Sequence, residues 1–465
     1  MIRRNLVESL VSVFLLVSFI CAAQAMWGQD TGVVVGRLAD QQGAVVASAK
    51  VSLTNDDTGL VLHAVTDSSG FFYFYRVPVG HYSVKAESSG FKPVEERVYV
   101  SVANAVFIDL ALAGGGREQP KQNNYVEIKI FYATDRRKSG EMAPASFYSM
   151  ERSPDEAMNF GTCKVSIPRD HRKGELDSPK WWKLRFRQDP NRDVVLLSVL
   201  ASSERKFFSE LASDVNSTTE KKAFVFIHGY NVTFEDAARR TAQLAYDLTF
   251  QGVPIFYSWP SKGSVSGYIA DEATIDWVRP HLEKFLEQVA ARSNATSIYL
   301  IAHSMGNRAL AGALKDIVTR GERQQASHFR EVVLAAPDID AGVFRQLATA
   351  LAGSADRVTL YASSKDRALA ASKTVHEYAR AGESGPNLVV VNGIDTVDVS
   401  AIDTGFLGHS YVADNTSVIT DMIGLIAGSP APHRVCLSAK TFNGLGYWLY
   451  GPPGVSGCPV PLPNP

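Results

Sequence analysis

The hydrophobic pattern changes character part-way along this chain of 465 residues. Over residues 31–113 the apolar residues come in short, strand-length runs, alternating with polar ones in Val51-Ser52-Leu53 and Tyr82-Ser83-Val84 and denser in Phe71-Phe72-Tyr73-Phe74-Tyr75 and Phe107-Ile108-Asp109-Leu110. Turn-forming stretches recur between them, among them Asp56-Asp57-Thr58-Gly59 and Asp67-Ser68-Ser69-Gly70. A period of two puts successive side chains on opposite faces, so this region predicts a small all-β sandwich. Residues 114–124 are polar, glycine-rich and unpatterned, as expected of a linker. From Tyr125 onward, apolar runs alternate with stretches of helical period. The pattern predicts strands at 126–132, 194–200, 223–227, 254–257, 297–302, 331–336, 357–361 and 388–391, and helices at 234–248, 271–291, 305–318, 341–352 and 368–381. In the second helix, Ile275, Val278, Leu282, Phe285 and Val289 form one apolar stripe, with Pro280 marking a kink or a late start. This alternation predicts an α/β unit over 125–430, with a mostly parallel sheet covered on both faces. Residues 431–465, rich in Pro and Gly, read as a tail.

The first residues carry a targeting pattern. Arg3 and Arg4 precede an apolar stretch over residues 10–23, and Ala23-Gln24-Ala25 fits a signal-peptidase site. A cleaved signal peptide over 1–25 predicts a periplasmic or secreted protein. The alternative is a membrane anchor left uncleaved, since the stretch is nearly long enough to span a bilayer. After cleavage Cys163, Cys436 and Cys458 remain. In an exported protein a Cys436–Cys458 bridge would close a loop over the tail, and three reduced structural thiols are the other reading. Charges nearly cancel, at 47 basic and 48 acidic residues, and no basic cluster predicts a nucleic-acid partner. No Cys or His pair has ligand spacing, so neither metal nor cofactor is expected.

The chemistry gathers at strand ends. A run ending at Ala302 stops at His303-Ser304-Met305-Gly306, and Leu310, Leu314 and Ile317 then follow at helical spacing. Strand, sharp turn and helix in that order describe a nucleophile elbow, which lifts a serine Oγ above the sheet. Ala302 stands where the usual pattern has Gly. The same short pattern recurs at Ala86-Glu87-Ser88-Ser89-Gly90, but there no helix follows and the serine reads as part of a turn. Three further strand ends carry His228-Gly229-Tyr230-Asn231, Pro337-Asp338-Ile339-Asp340 and Ser363-Ser364-Lys365-Asp366. Sites in open α/β sheets form beyond the carboxyl ends of strands.

Six motifs follow in order: Phe131-Tyr132-Ala133-Thr134-Asp135-Arg136, Phe226-Ile227-His228-Gly229-Tyr230-Asn231, Tyr257-Ser258-Trp259-Pro260-Ser261, Ala302–Gly306, Ala336-Pro337-Asp338-Ile339-Asp340 and Gly408-His409-Ser410-Tyr411. Through them residues 126–427 resemble a bacterial α/β-hydrolase family of unknown function. The resemblance implies an α/β-hydrolase fold and serine-hydrolase activity. The region before it resembles carboxypeptidase regulatory-like domains, through residues 43–51, Thr58-Gly59, Asp67–Phe71 and Val77–Tyr82. That implies a structural or binding module, with cell-envelope or carbohydrate contact as its expected role.

A serine hydroxyl needs a base, and the base needs an acid to hold its tautomer. Of the histidines after Ser304, His376 falls in a helical stretch and His433 in the tail, whereas His409 lies between the last strand and a final helix, where a base can hang over the elbow. By the resemblance Asp366, after the second strand beyond the elbow, is the acid, and Asp338, after the first, is the alternative. Backbone N–H groups of Met305 and Tyr230 would form the oxyanion hole, Gly229 allowing the close approach. His228 and His303 read as structural, and Tyr268 as a pocket wall. The expected activity is hydrolysis of small-molecule carboxylic esters. The alternatives are amide hydrolysis or acyl transfer by the same triad, or an idle, hydrolase-shaped envelope-binding protein.

Overall fold

The computed structural model describes residues 31–101, 105–113, 124–171, 173, 188–262, 267–320, 329–402, 416–434 and 436–451. The expected signal peptide, nearly all of the linker, and His409 lie outside the described residues. The chain divides into two compact units, Met1–Pro120 and Lys121–Pro465.

In the first unit, β1 (Thr31–Asp40), β4 (Phe71–Pro78) and β7 (Ala105–Leu112) form one sheet in the order β4-β1-β7. β2 (Lys50–Asn55), β3 (Val61–Val65), β5 (Gly80–Glu87) and β6 (Val94–Val100) form a second, fully antiparallel sheet in the order β3-β2-β5-β6. Alternate residues of both sheets, including Val34, Leu38, Val51, Leu53, Phe72, Phe74, Val84, Ile108 and Leu110, share one apolar core. Gly36 is required there, because a Cβ would lie 2.0 Å from the Phe72 ring. The Tyr82 hydroxyl donates to the Pro78 carbonyl at 2.9 Å, pinning the β4–β5 corner. Ser88 sits in the turn after β5, with no helix behind it.

The second unit is built on an eleven-stranded sheet, ordered β12-β11-β8-β14-β13-β15-β16-β17-β18-β20-β19. Its strands are β8 (Tyr125–Thr134), β11 (Asn159–Pro168), β12 (Val195–Ser202), β13 (Lys222–Ile227), β14 (Gly252–Ser258), β15 (Ser297–His303), β16 (Phe329–Ala335), β17 (Arg357–Ala362), β18 (Asp395–Asp398), β19 (Leu437–Phe442) and β20 (Leu445–Tyr450). β9 (Arg136–Lys138) and β10 (Tyr148–Arg152) form a separate hairpin. Pairing is parallel from β8 across to β20 and antiparallel at both edges. The helices are α1 (Glu204–Ser217), α2 (Phe234–Asp247), α3 (Tyr268–Arg292), α4 (Gly306–Thr319), α5 (Ala341–Ala352), α6 (Arg367–His376) and α7 (Thr416–Ile426). Central strands read as continuous apolar runs because both faces are covered. Ala223, Val225 and Ile227 of β13 join the core under α1, α3, α4 and α5, while Phe224 and Phe226 join the core under α2 and α7. The Val, Ile and Phe side chains among them each contribute about 1.5–3 kcal/mol when fully buried.

Four expectations need correction. Residues 388–391 are not a strand: Leu388 and Val389 are buried in loop, and the strand that pairs with β17 is the more polar β18. Burial drove the apolar pattern there, not pairing, and the Thr396 hydroxyl holds the loop through the Val389 carbonyl at 2.9 Å. The helix expected at 368–381 stops at His376, where Glu377 turns left-handed at φ 66°. The α3 helix starts before Pro280, at Tyr268, and continues through it. The α/β sheet does not end at 430, since β19 and β20 extend it to Tyr450.

Candidate active site

Parallel register sets the strand ends level. Ile227 is opposite Tyr257 on one side and Ala302 on the other, so the loops after β13, β14 and β15 emerge together. After β15 the chain reverses through Ser304, which sits in the left-handed region at φ 51°. Such a conformation costs a non-glycine residue about 1–3 kcal/mol and persists only where the surroundings dictate it. Here they do. Ser304 N donates to the Ala335 carbonyl at 3.0 Å, and the Ser304 carbonyl accepts from Asn307 N at 3.1 Å, Asn307 Nδ2 at 3.0 Å and Asp338 N at 3.2 Å. Gly306, the first residue of α4, lies so close to the end of β13 that a Cβ would meet the His228 carbonyl at 2.4 Å. Gly229 is equally confined, with a Cβ position 2.8 Å from Ser304 Cβ. Ala302 is fully buried, so the departure from the usual small-residue pattern is accommodated by packing. Met305 caps α4 and is buried, placing its peptide beside Ser304 at the start of the helix.

The loop after β13 carries Tyr230, half-buried, its ring 5.3 Å from that of Tyr268, and Asn231, left-handed at φ 58°. Behind this loop lies a polar layer that the sequence did not single out. Arg136, fully buried, donates from Nη2 to the Val232 carbonyl at 2.7 Å and from Nε to Ser258 Oγ at 2.9 Å. Its charge is balanced through Asp271, whose carboxylate accepts from Ser261 Oγ at 2.7 Å and Lys262 N at 2.9 Å and is also hydrogen-bonded by the Asn231 backbone. Burial pushes the Arg136 guanidinium down to about 9, against the pull of Asp271 and Asp236. His228 stacks on Trp259 at 5.0 Å, and its carbonyl accepts from Trp259 Nε1 at 2.7 Å. Burial, followed by the Arg136 charge, holds its imidazole well below the usual histidine range, so His228 is neutral. Burial and Arg136 thus disfavour a proton on this ring, which makes it a weak base.

The two acid candidates occupy different environments. Asp338, after β16, is held by three donors: Oδ2 accepts from the Tyr268 hydroxyl at 2.6 Å, and Oδ1 accepts from Ser372 Oγ at 2.7 Å and Arg380 Nε at 2.7 Å. Burial would raise this carboxyl, but Arg380 and the two hydroxyls outweigh it and hold it below the ordinary aspartate range. Asp366, after β17, is buried and caps α6, one oxygen accepting from Leu369 N at 2.9 Å. His376 hydrogen-bonds Glu272 at 2.8 Å, and Glu272 also binds Arg308 at 2.5 Å. Arg308 in turn reaches the Asp338 carbonyl at 2.9 Å. The structure thus gathers Ser304, Met305, Gly229 and Asp338 around the elbow. Sequence reasoning missed Arg136, Asp271, Arg308 and Arg380; only Arg136 stood in a noted motif, as its last residue.

Residues 203–426 match the family described as alpha/beta hydrolase of unknown function (DUF900), and residues 33–113 match the carboxypeptidase regulatory-like domain. The first unit is thus a carboxypeptidase regulatory-like, all-β domain, and the second carries an α/β-hydrolase-like domain. Among curated proteins, none matches this chain. Solved structures similar to parts of it include chlorocatechol 1,2-dioxygenase from Pseudomonas putida, at 13% identity over 18% of this chain and 60% of that one, TM-score 0.15. Hydroxyquinol 1,2-dioxygenase from the same organism matches at 10% identity over 19% and 58%, TM-score 0.16. The Bacillus anthracis TIE protein matches at 12% identity over 30% and 26%, TM-score 0.17. Each match spans less than two thirds of the other protein, and at these scores none bears on function.

Proposed function

We propose that this chain is an exported serine hydrolase that cleaves small carboxylic esters through an acyl-serine intermediate. Ser304 Oγ attacks the ester carbonyl while His409 takes its proton and Asp366 holds His409 in the required tautomer. The tetrahedral oxyanion is held by the N–H groups of Met305 and Tyr230. The proton then passes to the departing alcohol, and water hydrolyses the acyl-serine by the same steps in reverse. The observation that carries this reading is the over-determined left-handed turn at Ser304, fixed by the β13 end, Asn307 and two glycines whose Cβ positions are occupied. Asp366 is favoured as the acid by its place after β17, the second strand beyond the elbow. Export is supported by Cys436, which is disulfide-bonded, as expected of an oxidising compartment.

The test is labelling of the folded protein with a fluorophosphonate probe, followed by peptide mapping. Ser304 should carry the label and Ser304→Ala should carry none. Absence of label from intact, folded wild type would sink the enzyme reading. On a short nitrophenyl ester, Asp366→Asn should lower kcat by about 10⁴, as expected for loss of the tautomer-holding acid. Loss of activity in Asp338→Asn with Asp366→Asn unaffected would reverse the acid assignment.

A further inference from the structure

The Phe131–Arg136 motif has no role in the proposed triad, yet its last residue lies buried behind the loop that carries Tyr230. Resting on the serine-hydrolase reading, we infer that Arg136 and His228 form a relay that orients the Tyr230 N–H as an oxyanion donor. Both are positioning residues that act through the backbone.

The chain of reasoning starts at the guanidinium, which has only donors to offer. Arg136 Nη2 lies 3.5 Å from His228 Nε2, and Ser258 Oγ, itself an acceptor for Arg136 Nε, lies 3.2 Å from the same nitrogen. Because the guanidinium offers only donors, Nε2 of a neutral imidazole facing it acts as the acceptor, and the ring proton resides on Nδ1. Nδ1 lies 2.8 Å from the Gly229 carbonyl oxygen and donates to it. The peptide joining Gly229 to Tyr230 is trans and planar, with C=O and N–H pointing in opposite directions. Fixing the Gly229 carbonyl on His228 therefore fixes the opposite direction for the Tyr230 N–H. Two further holds keep the rest of the loop in place: Arg136 Nη2 takes the Val232 carbonyl, and Asp271 takes the Asn231 backbone N–H. A glycine at 229 is needed for the same geometry, since any Cβ would strike Ser304.

The relay predicts a loss confined to the transition state, because an oxyanion exists only there. His228→Leu and Arg136→Met should each lower kcat on a short nitrophenyl ester by about 10²-fold, the usual scale for one oxyanion donor, with KM changed less than about threefold. His228→Asn, whose side-chain amide can donate from near the Nδ1 position, should recover most of the loss. A packing role for the imidazole would instead leave Asn as damaging as Leu. Independently of turnover, ¹⁵N shifts of the His228 ring should report the neutral Nδ1–H tautomer in wild type. An Nε2–H tautomer, or a His228→Leu enzyme with kcat within about threefold of wild type, overturns the relay. If Arg136→Met does not fold, the two His228 variants decide the matter. Failure of the parent reading shows itself differently, as wild-type protein whose Ser304 takes no fluorophosphonate label.

Discussion

The two units bury different things. Among the described residues of the first, the buried polar side chains are Asn55 and Thr66, and both serve turns. Asn55 Oδ1 accepts from Asp57 N at 3.0 Å and Thr58 N at 2.7 Å, and Thr66 Oγ1 links Ala49 N at 2.8 Å to the Val46 carbonyl at 2.7 Å. Everything else at its centre is apolar. The second unit buries charged groups as well: Arg136, Asp271 and His228 behind the Tyr230 loop, Asp338 and Arg380 beyond β16, and Glu331, Asp421 and Arg434 elsewhere. Buried charges are costly unless paired and hydrogen-bonded, so a fold that needed only stability would have no use for them. Those beside the serine turn hold backbone: Arg136 binds the Val232 carbonyl, and Asp338 N binds the Ser304 carbonyl.

That contrast can be tested by substitution. The largest expected effect is on Asp338. Removing it as Asp338→Ala strands the buried Arg380 guanidinium and should destabilise the second unit by about 3–5 kcal/mol, read from urea unfolding, with activity lost alongside. Next is Leu53→Ala in the first unit, expected to cost about 2–5 kcal/mol. It should leave kcat on a short ester unchanged, and a large fall in kcat would break the division of labour between the units. A smaller structural effect is expected for Asp366→Ala, about 1 kcal/mol from the lost helix cap, out of proportion to its large effect on turnover.

The smallest effect depends on pH. His281 Nδ1 lies 3.1 Å from Asp135 Oδ1, and that hydrogen bond, opposed by burial, raises the His281 pKa. A histidine raised in the folded state adds stability that is complete below its unfolded pKa of about 6.5 and disappears as pH rises through the folded value. The melting-temperature difference between wild type and His281→Gln should therefore be largest below about pH 6.5 and shrink in more alkaline buffer. A difference that grew with pH would show that the pair is not ionic. For Asp338 the sign is opposite. Its carboxyl is lowered, so its contribution is present above the ordinary aspartate pKa and is lost as pH falls through the depressed value.

Much of this fold was legible because burial on two faces leaves a simple trace. The runs 223–227 and 298–302 are apolar throughout, and the strands found, Lys222–Ile227 and Ser297–His303, differ from the expected 223–227 and 297–302 by a residue each. Where burial and pairing part company, the trace misleads, as at Leu388 and Val389, apolar and buried yet in no strand. The hairpin Leu437–Phe442 and Leu445–Tyr450 was missed because its edge strand is polar and exposed and its apolar strand lies in a stretch rich in Pro and Gly. Of the site, Ser304, Met305 and Gly229 could be read from one dimension, since a strand–turn–helix break is local in sequence. Arg136, Asp271 and Arg380 could not.

What the sequence determined by itself was the division into an alternating all-β region and an α/β region, and the serine turn between an apolar strand and a helix. These are properties of neighbouring residues, set by side-chain period and by backbone conformation. What only the tertiary structure decided was what the Asp338 carboxylate binds, which histidine is neutral, and what lies behind the Tyr230 loop. Those depend on contacts between residues as distant as Arg136 and Val232, or Asp338 and Arg380, where burial and a facing charge set the protonation state and no local pattern records the partner.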